Sequence, residues 1–135
     1  MSDANVAVIR GIYDAFATGD VAGVLGRMDP GIVWNEAENF PYADGNPYVG
    51  PEAVAGGVFL RCATEWDGFA CKVDEILGAG DAVIAFGRYL GTYKATGKPQ
   101  NTQMAHVWRF DGGDKPKRFQ QYADTLAVAR ATGAA

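Results

Sequence analysis

A chain of 135 residues that is 48% hydrophobic, with 7 Phe, 6 Tyr and 3 Trp, can fill one core and still line a cavity with rings, but is too short for two cores. Sixteen acidic against twelve basic residues give a net charge of -4, which repels a phosphate backbone or an anionic bilayer and excludes nucleic acid and membrane as partners. Cys62 and Cys71 form no CxxC pair and cannot build a disulfide framework, which points to a reducing cytoplasm.

In chain order, Val6, Ile9, Ile12, Tyr13 and Phe16 recur at steps of three and four behind a capping-type Ser2 or Asp3, the pattern of an amphipathic helix ending near Gly19. Charged Asp3, Arg10 and Asp14 interrupt this stretch, so it holds no signal-peptide core, and no uninterrupted apolar run reaches the roughly 18 residues of a membrane span. Asp20 can cap a second short helix through Val21, Val24, Leu25 and Met28, which must stop before Pro30. Residues 32–36, Ile-Val-Trp-Asn-Glu, read as a short strand, followed by a rim or lid loop over 37–50. Gly50-Pro51-Glu52 opens a third helix running to about Glu65 or Trp66.

From Gly68 onward the pattern turns to strands over 69–77, 82–93, 102–110 and 118–124, separated by glycine-containing turns. The basic cluster Lys115, Lys117 and Arg118 falls at one of these turns and reads as a solvated hairpin end. Leu126–Ala131 adds one helical turn that frays. Helices first and a meander last define an α+β domain spanning residues 1–135.

Strand parity places Met104, His106, Trp108 and Phe110 on one face, and Trp34 with Glu36 on another. A carboxylate two residues from a tryptophan, beside a loop with prolines, suits the mouth of an apolar pocket. The alternative for Glu36 is a strand-end surface carboxylate. His106 is the single histidine and the natural proton shuttle of the chain, or else a half-buried structural residue bonded to a backbone carbonyl. Trp34, Trp66 and Trp108 serve as core or as pocket wall. Of Arg88 and Tyr89, only one can face inward. One histidine and two distant cysteines make no zinc constellation, and neither a phosphate-binding loop nor a nucleophile elbow is present. No metal or cofactor is implied.

Ile12-Tyr13-Asp14-Ala15-Phe16 with Gly19-Asp20, then His106-Val107-Trp108 ahead of a glycine turn and Tyr122-Ala123-Asp124-Thr125, resemble the nuclear transport factor 2-like superfamily over nearly the whole chain. The SnoaL-like branch, related to polyketide cyclases, ketosteroid isomerase and limonene epoxide hydrolase, is the nearest in look. The resemblance implies a cone: a curved antiparallel sheet packed on three N-terminal helices around one pocket, commonly a homodimer through the outer sheet face. It also places Trp34 and Glu36 where the epoxide hydrolase branch holds its attacking water, and His106 and Trp108 on the pocket-lining strand.

Two departures stand out. Gln121 falls where that branch and the cyclases carry a catalytic aspartate, and Arg88-Tyr89-Leu90 replaces an Arg-x-Asp. Asp124 could substitute only if its strand twists or bulges. The resulting expectation is cofactor-free proton transfer, of isomerase, cyclase or dehydratase type, on a small apolar molecule. Glu36 is then the general base and His106 its proton donor or partner, Tyr89 and Gln121 orient a carbonyl or hydroxyl, and Trp34, Phe40 and Trp108 supply shape. A non-catalytic binding protein using the same cavity is the competing expectation, favoured by Gln121.

Overall fold

The structure is a computed structural model and describes residues 2–135. Its helices are α1 (Ser2–Ala17), α2 (Val21–Gly26), α3 (Pro51–Val54), α4 (Leu60–Glu65) and α5 (Thr125–Thr132). The strands are β1 (Val33–Asn35), β2 (Tyr48–Val49), β3 (Trp66–Ala79), β4 (Ala82–Tyr93), β5 (Pro99–Arg109) and β6 (Arg118–Ala123). They form one six-stranded sheet in the order β2-β1-β6-β5-β4-β3. Every pairing is antiparallel except β1 with β6, which is parallel. The architecture is the α+β cone expected, with α1 laid across β3 and β4.

The sheet bends because β3 and β4 slip register twice, between Asp67 and Ala70 and between Val73 and Glu75, and each extra residue sharpens the local twist. Gly87 permits the second bend: a Cβ there would collide with the backbone carbonyl of Lys72. The concave face then carries alternate residues of each strand, so Val83, Tyr89, Met104, His106, Trp108 and Phe119 are all buried.

Ile9 and Ile12 of α1 are buried as their spacing predicts. Ser2 and Asp3, expected ahead of the helix as its cap, lie within α1 itself, with Asp3 in its first turn. Asp20 caps α2 by accepting from the backbone N–H of Gly23 at 2.9 Å.

Four sequence expectations need correction. The third helix is not regular: a five-residue π-turn, Ala55–Phe59, separates α3 from α4, and Gly56 and Gly57 fall within it. Tyr48 packs on this turn so closely that a Cβ on Gly57 would enter its ring. The 37–50 loop contains a 3-10 helix, Pro41–Gly45, and the short strand β2. β3 starts at Trp66 rather than Phe69 and β5 at Pro99 rather than Thr102, because bulges and edge positions break the simple alternation that marks a strand. The tail does not fray. Asp124 caps α5 through the N–H of Ala127 at 3.3 Å, Val128 and Ala131 are buried, and left-handed Gly133 ends the helix.

Candidate functional site

Glu36 follows directly on β1, where the strand's alternation carries its side chain to the same side as Trp34. Asn46, from the far end of the loop, grips its backbone twice: the Glu36 N–H donates to Asn46 Oδ1 at 2.9 Å, and Asn46 Nδ2 donates to the Glu36 carbonyl at 2.8 Å. Glu36 is 2% exposed. Its Oε2 accepts from the indole N–H of Trp34 at 3.0 Å, and its Oε1 is buried with no hydrogen-bond partner. Burial pushes the Glu36 pKa up to about 7, against the opposing pull of the Trp34 hydrogen bond. Arg61 offsets this only weakly, being held outside the cavity by Asp44 at 2.8 Å.

His106 projects from the middle of β5 and is bracketed by two tyrosines. Its Nδ1 lies 2.7 Å from the hydroxyl of Tyr13 on α1, and its Nε2 lies 2.5 Å from the hydroxyl of Tyr89 on β4. Burial without a neighbouring carboxylate lowers the His106 pKa to about 3, so the ring is neutral throughout the physiological range. Each phenol oxygen accepts a second bond: Trp108 Nε1 donates to Tyr13 at 2.9 Å, and Gln121 Nε2 donates to Tyr89 at 2.7 Å. Gln121 is in turn fixed by the N–H of Ala37, which donates to its Oε1 at 3.0 Å.

A neutral imidazole brings one N–H and the tyrosines one O–H each. The two His–Tyr bonds use only two of these three hydrogens, and the Trp108 and Gln121 partners are themselves donors. One phenolic O–H is therefore left without an acceptor among these partners. Which tyrosine holds it depends on the tautomer of His106.

All seven residues singled out from the sequence line this cavity: Trp34, Glu36, Phe40, Tyr89, His106, Trp108 and Gln121. Tyr89 is the inward residue of its pair, while Arg88 faces solvent beside Asn101. Asp124 stays outside as the exposed cap of α5. Trp66 is buried elsewhere, donating to Tyr42 at 3.0 Å. No hydrogen bond joins Glu36 to His106 among the described residues, since both ring nitrogens are taken by tyrosines. Tyr13 and Asn46 escaped the sequence reading. Tyr13 lay in plain view on the apolar stripe of α1 but read as core, and Asn46 read as a turn residue.

The walls are almost wholly apolar, with Trp34 stacked on Phe119 at a centroid distance of 3.6 Å and Trp108 edge-on to Trp34 at 5.6 Å. The space enclosed is about 50 Å³. Among the described residues no cluster of His, Cys, Asp or Glu is arranged to hold a metal ion, and no helix is long and apolar enough to cross a membrane.

The SnoaL-like domain matches residues 9–115, and the chain belongs to that family. A solved NTF2-like protein from Burkholderia thailandensis is 40% identical over 95% of this chain and 96% of its own, with a TM-score of 0.89. TerC, crystallised with polyporic acid, shares the fold at 24% identity, covering 96% of this chain and 98% of its own, with a TM-score of 0.84. IdmH of Streptomyces antibioticus, whose assignment as a polyketide cyclase is itself provisional, shares it at 22% identity over 94% and 96% of the two chains, with a TM-score of 0.75. No functionally curated protein matches.

Proposed function

We propose that this protein is an enzyme of cofactor-free proton transfer, in the isomerase, cyclase or dehydratase manner, acting on a small, largely apolar carbonyl compound. The observation that carries the reading is the Oε1 atom of Glu36, a buried carboxylate oxygen facing the cavity with no partner of its own. An acid with a pKa of about 7 is poised to take and return a proton near neutrality. The free phenolic O–H of Tyr13 or Tyr89 supplies the complementary donor, strengthening as charge develops on a substrate carbonyl oxygen.

In this scheme Glu36 removes a proton from the carbon beside the carbonyl, the electron pair moves onto oxygen under the tyrosine O–H, and the protonated Glu36 returns its proton at a second position. His106, expected as proton donor or partner, acts here by holding the two tyrosine hydroxyls. Gln121 orients Tyr89, and Trp34, Phe40 and Trp108 give the cavity its shape. The co-crystal of TerC with polyporic acid and the cyclase assignment of IdmH support an organic ligand in this fold.

Glu36→Gln is the test: turnover of a responsive carbonyl substrate should vanish while binding persists, and undiminished turnover would overturn the assignment of the base. Gln121 supports a second reading, a binding protein without catalysis. The resemblance puts it where a catalytic aspartate would stand, and both ends of its amide are committed to scaffolding. Binding without turnover across a carbonyl panel in the wild type would favour it.

We also read the protein as cytoplasmic, with both thiols unpaired, and as a homodimer through the outer sheet face. There Phe86 and Tyr122 stand exposed in one row across β4, β5 and β6. Light scattering on the purified protein checks the dimer.

A further inference from the structure

The inner cavity is too small for the substrate it would serve. About 50 Å³ accommodates a few waters, whereas sites for small organic ligands run from roughly 300 Å³ upward. A second hollow of about 180 Å³ lies beside it, lined by residues of α1, α2, α4 and β3. Five residues, Phe16, Val24, Phe59, Cys62 and Phe69, line both spaces and so form the wall between them.

That wall is aromatic and thin. The Phe16 ring stands 5.4 Å from Phe59 and 6.4 Å from Phe69, centroid to centroid, and all three rings are only partly buried. Phe59 is the last residue of the π-turn, which contains Gly56 and Gly57 and is the least regular turn of its helix. The outer hollow has no charged lining residue. Neither space is lined by Lys or Arg, so an anionic head group would meet the buried carboxyl of Glu36 with no cation to balance it.

We infer that the two spaces form one bipartite site, closed by a partition of Phe16, Phe59 and Phe69, for a neutral carbonyl compound with an apolar tail. The carbonyl head sits by Glu36 and the tyrosines, and the tail displaces the partition and lies in the outer hollow. This deepens the proton-transfer reading and rests on it for the position of the head.

The test is calorimetric titration with straight-chain methyl ketones from butan-2-one to nonan-2-one. Affinity should rise about fourfold per added methylene as the tail crosses the partition. In Ala63→Phe the gain should stop at a shorter chain, because residue 63 lines only the outer hollow and is exposed on α4. Val21→Phe, on a different helix and also lining only that hollow, should act the same way. Flat affinity along the series in the wild type would overturn the bipartite site while leaving the head-group reading standing. An undiminished gain in both variants would remove the outer hollow from the site. Failure of every ketone to bind would overturn the head-group reading and this inference with it.

Discussion

The hydroxyl of Tyr89 lies 2.5 Å from Nε2 of His106, and the hydroxyl of Tyr13 lies 2.7 Å from Nδ1 of the same ring. With Trp108 and Gln121 donating to those hydroxyls, the histidine tautomer is set by which partners surround it. Removing the Tyr89 hydroxyl in Tyr89→Phe leaves the Gln121 amide as the remaining donor near Nε2, which should drive His106 to the Nδ1–H form. Tyr13→Phe leaves the Trp108 indole near Nδ1 and should drive it to the Nε2–H form. Nitrogen-15 shifts of the histidine ring read both outcomes, and the same tautomer in the two variants would show that these donors do not set it.

A buried base with a pKa of about 7 gives a rate that climbs with pH and levels off above that value. Trp34→Phe deletes the one hydrogen bond that stabilises the charged carboxylate, so the midpoint of the kcat/KM profile should move upward. A profile unmoved in Trp34→Phe, or one with no inflection near neutrality, would remove Glu36 as the titrating base.

Stability should carry two opposing pH dependences. Glu36 holds its proton more tightly when folded, about 7 against 4.5, so its contribution is full below pH 4.5 and is lost as pH rises through 7. His106 is the reverse: its folded pKa falls from 6.5 to about 3, so its contribution is present above pH 6.5 and lost on acidification. Between pH 4.5 and 6.5 the slopes cancel in the wild type. In Glu36→Gln, lowering the pH from 6.5 to 5 should cost about 2 kcal/mol, and in His106→Gln the same change should stabilise by about 2 kcal/mol. Urea denaturation at the two pH values measures both, and parallel behaviour of the two variants would contradict the assignment.

Asn46 holds the backbone of Glu36 at both its N–H and its carbonyl. Asn46→Ala should therefore lower stability by about 1–2 kcal/mol and reduce kcat by roughly a hundredfold through misplacement of the carboxyl, with a smaller effect on KM. A loss of stability with kcat intact would make Asn46 a purely structural clasp.

The concave face of the sheet was legible because strand alternation is a hard geometric rule: once His106 and Trp108 were placed on one face, the inward position of Met104 followed. Trp34 and Glu36 followed by the same rule. What alternation could not resolve was Arg88 against Tyr89, where the register had to be seen. Tyr13 was hidden by its own periodicity, because a tyrosine on the buried stripe of a helix satisfies the pattern of core whether or not its hydroxyl has work to do. Asn46 was hidden because its function is expressed through another residue's backbone, ten positions back. The π-turn after α3 leaves the apolar spacing nearly intact, so only hydrogen-bond geometry reveals it. Gln121 shows the opposite case: its departure from the aspartate that the resemblance implies was plain in the sequence, and its meaning waited on the partners of the amide.

The parallel pairing of β1 with β6 also sets a timetable. Trp34 stacks on Phe119, and Ala37 reaches Gln121 across 84 positions of chain. During synthesis the first strand and its glutamate leave the ribosome long before the strand that covers them exists. Until residues 118–123 arrive, β1 presents an unpaired edge and an open tryptophan, the kind of surface on which nascent chains associate wrongly. The last strand to be made is thus the one that turns a half-cone into a chamber, and the site is complete only once that strand has docked on β1.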